Sequence, residues 1–178
     1  KPIPNEMIRD VIRKATLAQM IQPVVCGSAL HAIGVQGVLD SVKYYLPSPI
    51  DRPPVEGVNP RKIDKVETRK PSPEEPFCGL VFKVLPAKTG DTYWVRVYSG
   101  ELQSNSRIYC PGKDKKENAA QLWQIHATKK DRDGQVDSVS TGEIVGIIGP
   151  RYAVTGDTLC DQKAPILLES TSSYLNLR

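Results

Sequence analysis

Thr92-Tyr93-Trp94-Val95-Arg96-Val97-Tyr98 reads as a β-strand of strict alternation. Successive side chains of a strand point to opposite faces, so Thr92, Trp94, Arg96 and Tyr98 share one face and Tyr93, Val95 and Val97 the other. One of these faces must fill an interior. The face that carries Trp94, Arg96 and Tyr98 interleaves aromatic rings with a guanidinium, a pattern able to stack bases or grip phosphate. A competing reading packs Trp94 and Tyr98 beneath another part of the protein or makes them the interior themselves, as base rates for buried aromatics favour.

On both sides of this strand the same texture continues. Period-two runs from Cys78 to Leu85, Ser106 to Cys110, Ala119 to Ala127 and Glu143 to Ile148 predict strands, with short pieces at Leu159 and at Ile166 to Leu168. Lys88-Thr89-Gly90-Asp91 joins the first two strands as a hairpin, and Ser99-Gly100, Pro111-Gly112, Asp133-Gly134 and Thr141-Gly142 punctuate the rest. Many short strands with regular turns predict a small closed β-barrel over 77–169, since closure removes exposed sheet edges. The tail 170–178 has no predicted place.

Ahead of the barrel the texture changes twice. Eight prolines fall between Pro47 and Pro76 among charges and few large apolar residues, which predicts an extended linker over 50–76. Before it, Ile8, Val11, Ile12, Ala15 and Ala18 recur at helical spacing, and so do Val35, Val38, Leu39, Val42 and Leu46. Between these two helices Val24 to Gly27 predicts a short buried strand opening into a loop. Helix, strand, loop, helix is a piece of an α/β layer, yet one strand makes no sheet. The fold class expected is therefore mainly β with an α/β remnant over 1–49, whose apolar helix faces lack the sheet they would cover.

Composition narrows the function classes only mildly. The chain has 178 residues, 24 basic and 20 acidic, for a net charge of +4, which permits an anionic partner without demanding one. Basic residues concentrate around Arg61 to Lys70, Lys113 to Lys116 and Lys129 to Arg132, each of which would by default be solvated surface. The four cysteines form no C-x-x-C pair, which disfavours zinc or a redox motif and suits reduced thiols in a cytoplasmic protein. No run long and apolar enough to span a membrane occurs. The first residue is lysine, which suggests a piece of something longer.

The most specific local signal is Pro23-Val24-Val25-Cys26-Gly27-Ser28-Ala29, followed by Gly34-Val35-Gln36-Gly37 and Tyr45-Leu46-Pro47-Ser48-Pro49. Gly-Ser-Ala alone occurs by chance in any turn, and its ordered neighbours supply the information. Together they resemble the last guanine-binding loop and closing helix of the GTPase domain of elongation factor G. Val95 to Leu102, Leu122 to Ala127 and Thr155 to Cys160 resemble the recurring strands of that family's second, barrel domain. The resemblance runs from the first helix to about Glu169.

It implies that Ser28, Ala29 and Leu30 form one wall of a guanine pocket, where a serine hydroxyl and backbone N–H groups meet the base carbonyl. It implies GTP and Mg2+ as ligands of the intact protein, though none is expected for this chain alone. It also implies a ribosomal partner, with small-subunit rRNA touched by the barrel; Arg96 and the basic loop Lys129, Lys130 and Arg132 are the candidate contacts. The remaining domains of the parent factor would be further partners, and no membrane is expected. Its role would be GTP-dependent translocation of tRNA and mRNA, this segment supplying ribosome docking. A stand-alone RNA- or protein-binding barrel, or a piece of a release-factor or ribosomal-protection GTPase, is the alternative.

No catalytic or metal-binding residue is expected. The sequence has no G-x-x-x-x-G-K-[ST], and Gly112-Lys113 is followed by Asp114. Asp131-Arg132-Asp133-Gly134 fits D-x-x-G but sits in a polar run, and a hairpin turn is expected there. Cys26 and His31 stand close in sequence, but Cys26 falls in the predicted apolar strand, where a thiol is inert packing.

Overall fold

The computed structural model describes residues 3–87, 90–126 and 129–168; of 63–64, 126 and 129–133 the backbone alone is described. The tail 170–178 and the Lys88-Thr89 part of the expected hairpin lie outside the described residues. The chain divides into two compact units, 1–51 and 52–178.

In the first unit, α1 spans Asn5–Leu17 and α2 spans Val35–Tyr45. Pro4 starts α1 with an extended backbone, and Pro47 follows Leu46, where α2 ends. No residue of either helix is buried. What ties them is polar. Arg13 donates to the carbonyls of Tyr44 (3.0 Å) and Leu46 (3.2 Å) and to Asp51 Oδ2 (2.6 Å), placing a cation at the negative end of α2. The Arg9 guanidinium stacks 4.6 Å above the Tyr44 ring. The strand expected at Val24 to Gly27 does not form: the segment has no sheet partner among the described residues, and Val24 is 85% exposed. A strand needs a neighbour to take its backbone groups, and here only Ser28 and Ile33 pair.

The second unit is β throughout. Its strands are β1 (Val55–Asn59), β2 (Lys62–Arg69), β3 (Cys78–Leu85), β4 (Thr92–Ser99), β5 (Glu101–Gln103), β6 (Ser106–Cys110), β7 (Lys115–Ala119), β8 (Gln121–His126), β9 (Lys129–Val136), β10 (Ser138–Ser140), β11 (Ile144–Ile148), β12 (Thr158–Cys160) and β13 (Leu167–Leu168). Eight of them form one antiparallel sheet in the order β7-β6-β12-β3-β4-β11-β8-β9. The sheet curls around a core that includes Tyr93, Val95, Val97, Leu122, Val145 and Ile147. The ribbon of β5 and β10 lies at the seam, where the Ser104 N–H donates to Asp137 O and the Asn105 N–H to Ala119 O, both at 2.7 Å.

The alternation of β4 resolves as Tyr93, Val95 and Val97 inside, with Trp94, Arg96 and Tyr98 half-buried on the outer face. Trp94 is therefore outside the barrel interior, while Tyr98 packs against a second buried cluster of Cys78, Tyr109, Cys160, Ile166 and Leu168. A register irregularity between Val81 and Lys83 bends β3, leaving Phe82 and Lys83 both exposed beside Trp94. At the end of β4, Gly100 takes φ +73, and a Cβ there would lie 2.5 Å from Glu75 O and Phe77 N. The expected Ser99-Gly100 turn needs this glycine.

Three expectations need correction. The stretch 50–76, expected to be an extended linker, holds β1 and β2, which pair with each other and, through β1, with β13. Its prolines flank the strands or, at Pro60, occupy the turn between them. The single strand expected from Ala119 to Ala127 is β8, preceded by a separate charged strand, β7. Asp131 to Gly134 lies within β9 and is not a turn.

Two acidic side chains organise this unit. Glu117 on β7 is 5% exposed and accepts the N–H groups of Arg151 (2.9 Å), Tyr152 (2.7 Å) and Ala153 (3.1 Å). A carboxylate holding three backbone donors replaces the water that loop would otherwise need. Glu117→Ala should lower unfolding stability by about 2–3 kcal/mol, read from urea midpoints, because buried N–H groups then lose their acceptor. Glu67 on β2 receives hydrogen bonds from Lys65 (2.8 Å) and Asn59 (3.0 Å). These bonds, with the charges of Lys65 and Arg69, pull its carboxyl down from the ordinary 4.5 to about 2. The folded value is depressed, so this contribution to stability is fully present above pH 4.5 and is lost as pH falls through about 2. An NMR titration should place the Glu67 carboxyl midpoint near 2, and Lys65→Ala should raise it.

Candidate functional site

Two places carry the residues singled out by sequence, one in each unit. In the first unit the loop between α1 and α2 is pinched at its base. The Ser28 N–H donates to Ile33 O (2.9 Å) and the Ile33 N–H returns to Ser28 O (3.0 Å). Across the pinch, a Cβ on Gly27 would lie 2.7 Å from Ile33 O, and one on Gly34 would lie 2.9 Å from Cys26 O. Gly34 also takes φ +76 as it enters α2. Two glycines are thus required for the chain to double back so closely. Between them Ala29 O accepts from the Ala32 N–H (3.2 Å), and Leu30 stands 90% exposed. The loop presents Ser28, Ala29 and Leu30 together, with the Ser28 backbone spent on the pinch. Such a display of small residues lets a flat ligand approach the backbone.

Cys26 is exposed, contrary to the expectation of a buried packing thiol, because its strand is absent. Among the described residues no cluster of His, Cys, Asp and Glu could hold a metal ion.

In the second unit the outer face of β4 is an aromatic and cationic strip. Phe82 meets Trp94 edge-on, with ring centroids 6.2 Å apart at 85°. Lys83 Nζ lies 5.2 Å from the centre of the Trp94 ring, and the Arg96 guanidinium 5.7 Å from that of Tyr98. Leu80 and Ile144 flank Arg96 on the neighbouring strands. Its Nε is buried with no hydrogen-bond partner, so aromatic and aliphatic neighbours hold the charge in place while the rest of the head faces outward. The strip can stack planar groups and attract an anion.

Of the basic loop proposed beside it, the side chains of Lys129, Lys130 and Arg132 lie outside the described residues. The backbone places Lys129 and Lys130 on β9 opposite His126 and Ile125 of β8. β9 is three strands from β4 in the sheet, roughly 14 Å at the usual strand spacing, so Arg96 and this segment are separate candidate contacts. Sequence reasoning passed over a cleft of about 470 Å³ beside β6, flanked by Arg61, Lys116, Tyr109 and Asp114. There the Tyr109 hydroxyl donates to Asp114 Oδ1 (2.7 Å), which together with burial raises the tyrosine's pKa. No local motif marks it, because the turn between β1 and β2, β6, the turn after β6 and β7 meet only in the fold.

Comparison with known proteins places these features. A family model described as elongation factor Tu domain 2 matches residues 90–160. The chain is 44% identical over 170 residues, 96% of its length, to elongation factor G 2 of Syntrophus aciditrophicus. It is 43% identical to elongation factor G of Salinibacter ruber over 93% of the chain and 44% identical to that of Aquifex pyrophilus over 92%. Nearly the whole of this chain is thus similar to one stretch of elongation factor G. The chain spans about a quarter of these relatives' length (24%, 23% and 23%). A crystal structure of a Thermus thermophilus protein shares the fold, with a TM-score of 0.65 at 19% identity, covering 93% of this chain and 22% of its own. The barrel architecture of the family thus agrees with the curled sheet seen here, and no helix among the described residues is long and apolar enough to cross a membrane.

The pinched loop predicts its own sensitivity. Gly34→Ala puts a side chain into a left-handed backbone and against Cys26 O, so the Ser28 and Ile33 amides should exchange hydrogen at least tenfold faster by NMR. Gly37→Ala, with open space at its Cβ position, should leave both unchanged.

Proposed function

We propose that this chain is a segment of a translational GTPase of the elongation factor G type, supplying one wall of the guanine pocket and a ribosome-docking barrel. The observation that carries this reading is the match of 44% identity over 170 residues, 96% of the chain, which takes in the helical unit and the barrel alike. Residues 1–49 are read as the end of the GTP-binding domain and 77–169 as the second domain. On the loop, the Ser28 hydroxyl and the backbone at Ala29 and Leu30 meet the guanine base. GTP and Mg2+ belong to the intact protein, where GTP hydrolysis supplies the free energy for moving tRNA and mRNA. The barrel docks on small-subunit rRNA in the cytoplasm, with Arg96, Lys129, Lys130 and Arg132 as candidate contacts.

Physical chemistry supports the division of labour. Base recognition without phosphate recognition gives little affinity, because a triphosphate's binding comes mainly from its phosphates and metal. The isolated chain should therefore show no micromolar binding of a fluorescent guanine nucleotide, whereas purified small ribosomal subunits should retain it in a sedimentation assay. Retention should weaken with salt, and Arg96→Ala should weaken it further, as expected of contacts to a polyanion. Micromolar nucleotide binding would overturn the assignment of the loop as one wall only. Retention indifferent to both salt and Arg96→Ala would overturn the docking role of the β4 strip.

A further inference from the structure

We propose that Cys78 and Cys160 form a redox-sensitive dithiol that closes into a disulfide between β3 and β12 when a hydroperoxide reaches it. The inference is independent of the ribosomal reading, since it rests on the strand register alone. Cys78 and Cys160 stand directly opposite each other in the antiparallel pair of β3 and β12. The Asp161 N–H donates to Phe77 O (3.0 Å), so the ladder bond falls on the residues flanking them. That makes the two cysteines a non-hydrogen-bonded pair, the kind whose Cα atoms approach to about 4.5 Å, within the range a disulfide spans. Both side chains point to the same side of the sheet, into a small cluster with Tyr109, Ile166 and Leu168 beneath β13. Both are fully buried and free. Cys110 is the third buried thiol, but it belongs to the barrel interior and has no such partner.

A charge is built in beside them. Arg69 on β2 is 7% exposed, donates to Ala164 O (3.1 Å), and keeps a buried Nε with no hydrogen-bond partner. Its field favours the thiolate of both cysteines, while burial acts the other way and dominates, pushing Cys78 up to about 12 and Cys160 to about 11. In the closed structure the pair is accordingly protonated and slow, and reaction proceeds when β13 lifts and the shielding falls. The Cys160 thiolate attacks one oxygen of hydrogen peroxide, the O–O bond breaks, and the departing hydroxide takes up the thiol proton as water. The Cys78 thiolate then attacks the resulting sulfenic sulfur, the S–O bond breaks, and a second water leaves as the S–S bond forms. Two thiols give up two electrons, and one peroxide becomes two waters.

The test treats the Cys26→Ser chain with hydrogen peroxide, removing the exposed thiol from the count. Free thiols after denaturation should fall from three to one, peptide mapping should join the Cys78 and Cys160 peptides within one chain, and the denaturation midpoint should rise until a reductant is added. Cys78 and Cys160 both recovered as free thiols, or oxidised to separate sulfinic acids, would overturn the proposal. A second variant, Cys26→Ser with Cys160→Ser, should show neither the link nor the rise. A rise that persists in it would assign the effect to other chemistry and count against the pair.

Discussion

The barrel depends on the inward face of β4. Tyr93, Val95 and Val97 are buried at the centre of the long sheet, between β3 and β11. Each buried valine is worth about 1.5–3 kcal/mol relative to exposure, and the tyrosine adds its ring. The opposite face sets the penalty for error. A slip of one residue would turn Trp94, Arg96 and Tyr98 inward, and an arginine without a partner in an apolar interior costs several kcal/mol. One strand thus states both what the core contains and what it excludes. The neighbours inherit their registers from it, through Ile144 opposite Arg96 on one side and Leu80 opposite Arg96 on the other.

The first unit is organised differently. None of its helical residues is buried, so no core fixes its loop. Backbone geometry does that work: the Ser28–Ile33 pair, the two glycines at the neck, and the Arg13 side chain that gathers the end of α2. A display held by short-range contacts can keep Ser28, Ala29 and Leu30 in one arrangement even though the surrounding apolar side chains remain open. Local constraint is what the proposed guanine-facing role requires, since the tip must stay uncovered for a ligand.

How much of this was legible depended on whether pattern or pairing carried the information. The strands Cys78 to Leu85, Thr92 to Tyr98 and Ser106 to Cys110 could be read because their apolar residues alternate against a single core. β1 and β2 escaped because prolines crowd their borders and the strands themselves are charged; they exist through pairing with each other and β13. β7 escaped for a similar reason, since Lys115-Lys116-Glu117 reads as solvated surface until the fold brings the 151–153 backbone to Glu117. The opposite failure occurred at Val24 to Gly27, where an apolar run alone makes no strand. At the candidate sites, the Gly-Ser-Ala run at the loop and the alternation that sets Arg96 on the outer face carried a local signal. Arg69 and Cys160 carried none, because what distinguishes them is who stands across the sheet.

That difference follows from how antiparallel pairing works. Along one strand, residue type and spacing choose a face. Across strands, the ladder also decides whether two facing side chains stand close or further apart, and this distinction has no signature in sequence. Cys78 and Cys110 share burial and chemistry, yet the pairing gives Cys78 a thiol directly opposite and turns Cys110 into the barrel interior. The same logic separates Arg96 from Arg69. Arg96 lies half-buried on the outer face beside Tyr98, where its charge can meet an outside anion, whereas Arg69 is buried on β2 and its charge acts on the neighbouring thiols. Across the two sheets, pairing assigns each buried or half-buried charge its audience, and residue type alone does not.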